Sequence, residues 1–166
     1  MVLRYSDAVA STTLSDEEIA ELRSAYDRCF GCGVNNPVGL HLDGFVRSND
    51  GATGTFSPKD DFSGFRGILH GGVIATALDE ISAWSALLTQ GVFVFTAKLE
   101  IRYRSEASID DEFTLTGSVT QRRGKRLLIQ AAMLSGDRVV AQSSGLFVVA
   151  GSVEELVAAQ RDVTTT

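Results

Sequence analysis

The sequence is poor in the residues that announce several common functions. Cysteine, histidine and proline each occur only twice in 166 residues, too few for a disulfide-stapled scaffold, a full zinc finger or a proline-rich linker. No run approaches the ~18 apolar residues of a bilayer-spanning helix. The longest greasy stretches, 92–95 and 146–150, are strand-sized. Cations are outnumbered, 15 Lys and Arg against 21 Asp and Glu, for a formal net charge of −6. A broad nucleic-acid surface needs clustered positive charge, so neither nucleic acid nor membrane is an expected partner. The opening MVLRYSDAVA holds no apolar core of a secretory leader and carries Asp7 early, so a cytoplasmic location is expected.

What is present suffices for one core. Hydrophobic residues make up 44% and charged residues 22%, ordinary usage for a single globular domain of this length. The chain divides into a helical extension over 1–28, a main domain over 29–150, and a short helix with a tail over 151–166. Ser15 with Glu18 forms a capping box, and Ile19, Leu22 and Tyr26 continue at helical spacing, which predicts a helix over 15–28. Residues 29–39, CFGCGVNNPVG, predict an irregular connection. Strands over 41–47 and 51–57 flank Ser48-Asn49-Asp50 as a hairpin, and the loop over 58–69 is long enough to act as a lid.

From His70 onward, Ile74, Ala77, Leu78, Ile81, Trp84 and Leu88 make the apolar stripe of a buried central helix. Residues 92–104 then alternate, which predicts a strand with Phe93, Phe95, Ala97, Leu99, Ile101 and Tyr103 on one face. Three more β segments, 112–122, 125–135 and 138–150, turn at Gly124 and at Gly136-Asp137 as an antiparallel meander. Ser152 with Glu155 starts a terminal helix, and 161–166 is expected to fray. Connections this short forbid parallel crossovers. The fold class is α+β, an antiparallel sheet curled around one long helix.

The densest chemistry lies at the start of that helix, in His70-Gly71-Gly72 and, further on, Asp79. Two glycines at a helix N-terminus leave backbone N–H groups open to an oxyanion, with the positive end of the helix dipole behind them. They also serve a sharp loop-to-helix entry with His70 as its cap, and both readings stand. Asp79 shares a helix face with Gly72, Ala75, Thr76, Ser82, Ala83 and Ala86. Such a small-residue face admits close approach of another backbone, which points to a two-fold dimer. Gly71 and Asp79 are eight residues apart, about 12 Å along one helix. A site using both would take each from a different subunit. Glu80 falls on the other side of the stripe, where a solvated or sheet-edge charge is expected.

Arg122, Arg123, Lys125 and Arg126 surround Gly124, four cations in five residues of an acidic chain. They read either as a phosphate-binding hairpin or as an edge charged against aggregation. Arg102 and Arg104 are weaker candidates for the same task. Cys29-x2-Cys32 has the spacing of a zinc half-site, with His41 nearby, but no second half-site follows, so no metal is expected.

The HGG-x6-D segment, preceded by CFGCG-x-NNP-x-GL-x-L and followed by the meander, resembles the PaaI-like acyl-CoA thioesterases of the hotdog superfamily over about residues 29–150. The resemblance implies a helix wrapped by an antiparallel sheet, dimers that join their sheets, and hydrolysis of acyl-CoA without a cofactor, CoA entering only with the substrate. It implies Asp79 as nucleophile or general base, the Gly71 N–H as carbonyl donor with Gly72 and His70 beside it, and Thr96 as the hydroxyl that orients water. It brings Arg122, Arg123, Gly124, Lys125 and Arg126 near the nucleotide end of CoA, with Gly64 and Phe65 on the substrate side. Some relatives carry a helping Asn six residues before the His, where this chain has Gly64; Ser63 is the neighbour left to take that part. A homodimer is expected, with a homotetramer as the larger alternative. Two other readings stay open: a hotdog hydratase or dehydratase, and a non-catalytic acyl-CoA or acyl-carrier binding module. Phe62, Phe65, Trp84 and Phe93 are candidates for an apolar acyl pocket.

Overall fold

The computed structural model describes residues 15–155. The first helix, α1 (Asp16–Ala25), starts at the expected capping box, with the Ser15 hydroxyl accepting from the Glu18 N–H and the Glu18 carboxylate accepting from the Ser15 N–H. The 29–39 connection folds into a compact knuckle. The Gly33 N–H bonds to the Cys29 carbonyl, and the Leu40 and Leu42 N–H groups bond to the carbonyls of Phe30 and Gly31. The Asn36 side chain ties its turn by donating to the Arg28 carbonyl and accepting from the Val38 N–H. These bonds account for the density of Gly and Asn in this stretch.

Strands β1 (Asp43–Arg47) and β2 (Gly51–Phe56) form the expected hairpin. The 58–69 segment is not an open lid. A 3-10 turn (Asp60–Phe62) leads into a small hairpin of β3 (Ser63–Phe65) and β4 (Ile68–Leu69). That hairpin is laced to its surroundings by the His70 N–H on the Phe62 carbonyl and the Leu69 N–H on the Ala107 carbonyl. The central helix, α2 (Gly71–Gln90), ends at Gly91, whose φ of 61° supplies the left-handed cap. Then come β5 (Val92–Tyr103), β6 (Phe113–Arg123), β7 (Arg126–Ser135) and β8 (Arg138–Ser152).

The main sheet has the order β1-β2-β6-β7-β8-β5, with every neighbouring pair antiparallel. Its inner face closes on α2. Ile74, Ala77, Leu78, Ile81, Trp84 and Leu88 are buried, as their spacing predicts, against Ala52, Phe56, Phe113, Leu115 and Met133. Each large side chain so buried contributes about 1.5–3 kcal/mol of transfer free energy. At Gly117 the sheet lies directly against the helix, since a Cβ there would collide with the Ser85 Oγ. A second cluster joins Ala86 to Val92, Leu127, Ile129 and Phe147. This corrects the reading of the small-residue helix face: Ser82 and Ala86 are covered by the chain's own sheet, and only Gly72, Ala75, Thr76, Asp79 and Ala83 keep access to solvent. The Ser152–Glu155 capping box is formed in both directions. Residues 153–155 are the start of the expected helix, and its continuation lies outside the described residues.

Strand β5 departs from simple alternation. Thr96 pairs with Phe147 and Lys98 with Leu146, so Ala97 is an unpaired bulge residue. The extra residue shifts the phase, placing Thr96 on the inner face with Leu99 and Ile101, while Phe95 is 74% exposed. The single-face assignment of Phe95 and Ala97 with Leu99 is therefore wrong by one residue, whereas Phe93 packs against the same core cluster as Ile101.

Candidate active site

Two half-sites lie at different heights on α2. At its start, His70 is the N-cap, and its Nδ1 accepts the Gly72 N–H at 2.9 Å. Of the two glycine N–H groups, this occupies that of Gly72 and leaves that of Gly71 without an acceptor among the described residues. The Gly71 carbonyl accepts the Tyr103 hydroxyl at 2.8 Å, which pins the first turn to the far end of β5. Tyr103 was missed as a site residue because its place in the alternation marked it as core. Gly64 stands against His70, where a Cβ would come 3.0 Å from the imidazole, a tight contact, and it supplies no side chain for the part of the helping Asn. The Ser63 hydroxyl is occupied by the Asp60 carbonyl at 2.8 Å. Phe65 is 78% exposed on the small hairpin.

The second half-site is Asp79 with Thr96. The Thr96 Oγ1 donates to the Asp79 Oδ1 at 2.6 Å, a geometry that depends on the β5 bulge. Both residues line a cavity of about 330 Å³ whose walls include Leu22, Ala83, Trp84, Leu87, Phe93 and Phe95. Of the four aromatics named as pocket candidates, Trp84 and Phe93 line this cavity. Phe62 instead packs on Phe56 with ring centroids 6.3 Å apart.

The same cavity reaches Cys29, Cys32 and Glu80. Glu80 is not a solvated charge. Its Oε1 accepts the Trp84 Nε1–H at 3.1 Å, and the Cys29 Sγ stands 3.7 and 3.8 Å from its two oxygens. Burial first, and the neighbouring thiol second, push its carboxyl up to about 7. Cys29 is lowered to about 5, chiefly by the Cys32 thiol and also by the backbone N–H groups of Cys32 and Gly31, against the opposing effect of burial. Cys32 is raised correspondingly, because the group holds one negative charge far more readily than two. A Cβ at Gly31 would lie 2.2 Å from the Glu80 Oε2, so this carboxylate sits directly on the knuckle backbone.

The basic hairpin divides. Arg122 turns under the sheet, with its Nη1 on the Gln90 Oε1 at 3.2 Å and its Nε on the Gly124 carbonyl at 3.3 Å. Arg123, Lys125 and Arg126 line a depression of about 440 Å³ with Gln121, Leu128 and Leu146. Arg126 and Leu128 flank the buried Leu127, so this depression is on the outer face of the sheet. Arg126 pairs with Val148, which pairs with Phe95. Two strand spacings, about 10 Å, therefore separate the hairpin from the Thr96 level of β5. Arg104 bonds to the Gln142 Oε1 at 3.2 Å, elsewhere on the sheet.

No helix of the described residues is long and apolar enough to cross a membrane. No curated protein matches the sequence. Residues 66–142 match the thioesterase superfamily. Among solved structures, PaaI of E. coli, from the phenylacetic acid degradation operon, is 17% identical, with 84% of this chain and 97% of that one covered and a TM-score of 0.69. A hypothetical thioesterase from Streptococcus pneumoniae TIGR4, solved with coenzyme A, is 21% identical over 66% of this chain and 89% of that one, with a TM-score of 0.61. A protein from Streptococcus mutans UA159 bound to acetyl CoA is also 21% identical, over 67% and 90%, with a TM-score of 0.61. With its sheet wrapped around α2, the chain shares the fold of these structures, and its HGG segment lies inside the region that matches the thioesterase superfamily.

Proposed function

We propose that the protein hydrolyses acyl-CoA thioesters with a site completed across a homodimer, Asp79 and Thr96 coming from one subunit and the Gly71 N–H from the other. The observation that carries this reading is the 2.6 Å hydrogen bond that fixes the Asp79 carboxylate at the mouth of an apolar cavity. A carboxylate held by one hydroxyl keeps its second oxygen free to take a proton from water or to attack the carbonyl itself. With water as the nucleophile, oxygen adds to the thioester carbon and Asp79 takes the proton. The negative charge on the carbonyl oxygen is met by the Gly71 N–H and the helix dipole. Collapse breaks the carbon–sulfur bond, and the CoA thiolate leaves to be protonated.

The dimer is supported by β5. It is an edge strand of twelve residues, with Phe95 74% and Tyr103 53% exposed. An uncovered edge of that length is a ready template for a second copy. Pairing of the two β5 edges sets the helices of two subunits side by side in opposite senses, which brings the start of one α2 toward Asp79 of the other. On the outer face, Arg123, Lys125 and Arg126 supply cations for the CoA phosphates.

The test is release of free thiol from a panel of short, medium, long and aryl acyl-CoA esters by wild type and Asp79→Asn. Turnover that falls about 100-fold or more in the mutant, the scale of a lost general base, supports the reading. Saturable acyl-CoA binding without turnover replaces it with a binding module.

A further inference from the structure

The chain encloses a second cluster of chemical groups for which hydrolysis by Asp79 has no use. Cys29, Cys32 and Glu80 each present one donor atom, and the three atoms lie within 4.8 Å of one another. The Cys29 Sγ to Glu80 oxygen separations of 3.7 and 3.8 Å are close to the edge of a tetrahedron built from a Zn–S bond of about 2.3 Å and a Zn–O bond of about 2.0 Å. The donors come from two elements, the knuckle and α2, and each is positioned by the fold. Trp84 holds one Glu80 oxygen at 3.1 Å. Gly31 leaves room for the carboxylate, and a Cβ at Gly33 would strike the Cys29 N at 2.4 Å, so Cys-x2-Cys-Gly can close only as it does. The backbone N–H groups of Cys32 and Gly31 favour the Cys29 thiolate, the kind of support that a metal-bound thiolate receives from its outer shell.

Three acidic groups therefore share one largely buried space, and no cationic side chain is among the described residues that line it. The ion pairs of the described residues, Arg23–Asp43, Lys98–Glu100 and Arg138–Asp111, lie elsewhere. His41 is not a fourth member, because its Nε2 lies 2.6 Å from the Asn36 carbonyl. The fourth direction opens instead on the cavity shared with Asp79 and Thr96.

We propose that Cys29, Cys32 and Glu80 form a binding site for one zinc-class divalent cation, with its fourth position facing that cavity. Thiolate sulfur selects a borderline-soft ion over magnesium or calcium, and three protein donors with one open position is a coordination that zinc accepts readily. The bound ion would clamp the knuckle to α2 beside Trp84. This inference concerns ion binding and holds whether or not the chain cleaves thioesters.

The test uses the full chain, reduced and stripped of metal with a chelator, then titrated with cobalt(II) and with zinc(II). The expected result is uptake of one ion per chain, a cobalt–thiolate charge-transfer band, and a higher Tm with zinc. Cys29→Ser and Cys32→Ser should each lose the band. Glu80→Gln, which keeps an acceptor for Trp84, should retain the fold by circular dichroism and bind cobalt more weakly with an altered spectrum. A readout free of variants is the rate of alkylation of the two thiols in folded wild type, which zinc should suppress. The proposal is overturned if protein with two titratable thiols takes up neither ion, if uptake survives in the double serine variant, or if zinc leaves the alkylation rate unchanged.

Discussion

Thr96 and Asp79 are joined side chain to side chain at 2.6 Å across a separation of 17 residues. The bond exists because Ala97 is the unpaired residue of a bulge, which turns Thr96 inward toward α2. Removing the hydroxyl leaves the carboxylate in place but free to rotate, so Thr96→Ala should lower kcat by about 10- to 100-fold with little change in KM, the pattern of a group that acts mainly in the transition state. Thr96→Ser should recover most of the rate. Thr96 is exposed on an edge strand, so thermal unfolding should show both variants within about 0.5 kcal/mol of wild type.

His70 gives a different signature. Its Nδ1 caps the Gly72 N–H at 2.9 Å, a role that an Asn side chain performs equally well. His70→Ala should cost about 1 kcal/mol of stability, and His70→Asn should restore it. If Asn also restores turnover, His70 acts by holding the helix start. A His70→Asn enzyme that is fully stable but inactive would assign the imidazole to the chemistry.

The helix stripe was legible because Ile74, Leu78 and Ile81 are set by the helix period alone, and the hairpin turns were legible because Gly124 and Gly136 occupy positions with φ near 60°. The β5 face was not. A bulge adds one residue without disturbing the apolar alternation on either side, so only pairing with β8 reveals which phase is inside. Asp79 and Glu80 are neighbours in sequence and line one cavity, and no local rule says which of them meets Thr96 and which meets the knuckle. That is decided by the knuckle, which brings Cys29 onto Glu80 across 51 residues. The Cys29-x2-Cys32 spacing has no second Cys or His pair in the sequence, and the carboxylate that joins it in the fold comes from the central helix.

The basic hairpin separates two kinds of arginine. Arg123, Lys125 and Arg126 line an open depression, so Arg126→Glu and Lys125→Glu should raise KM for acyl-CoA several-fold and flatten its dependence on ionic strength, with kcat nearly unchanged. Arg122 instead braces the Gln90 Oε1 at the end of α2. Arg122→Ala should lower Tm with a smaller effect on KM. Equal effects of all the substitutions on a short acyl ester lacking the nucleotide would remove the phosphate role.

The cross-subunit site makes the most specific prediction. Gly71 is the first residue of α2, a position where proline is tolerated, and His70 before it has ψ of 134°, the extended conformation that a following proline requires. Gly71→Pro therefore deletes the one N–H proposed to hold the oxyanion while keeping the helix start, and should abolish most turnover with its fold intact. Asp79→Asn removes the carboxylate in the same way from the other half-site. Neither variant alone can assemble a working site in a homodimer. In a mixed dimer, however, the Asp79 of the Gly71→Pro chain meets the intact Gly71 of the Asp79→Asn chain, so one of the two sites is whole. Random exchange of subunits makes half the dimers mixed, and mixing two inactive proteins should restore about a quarter of wild-type activity per chain. A mixture that stays inactive after subunit exchange has been verified by native mass spectrometry would show that each chain must supply both groups to its own site.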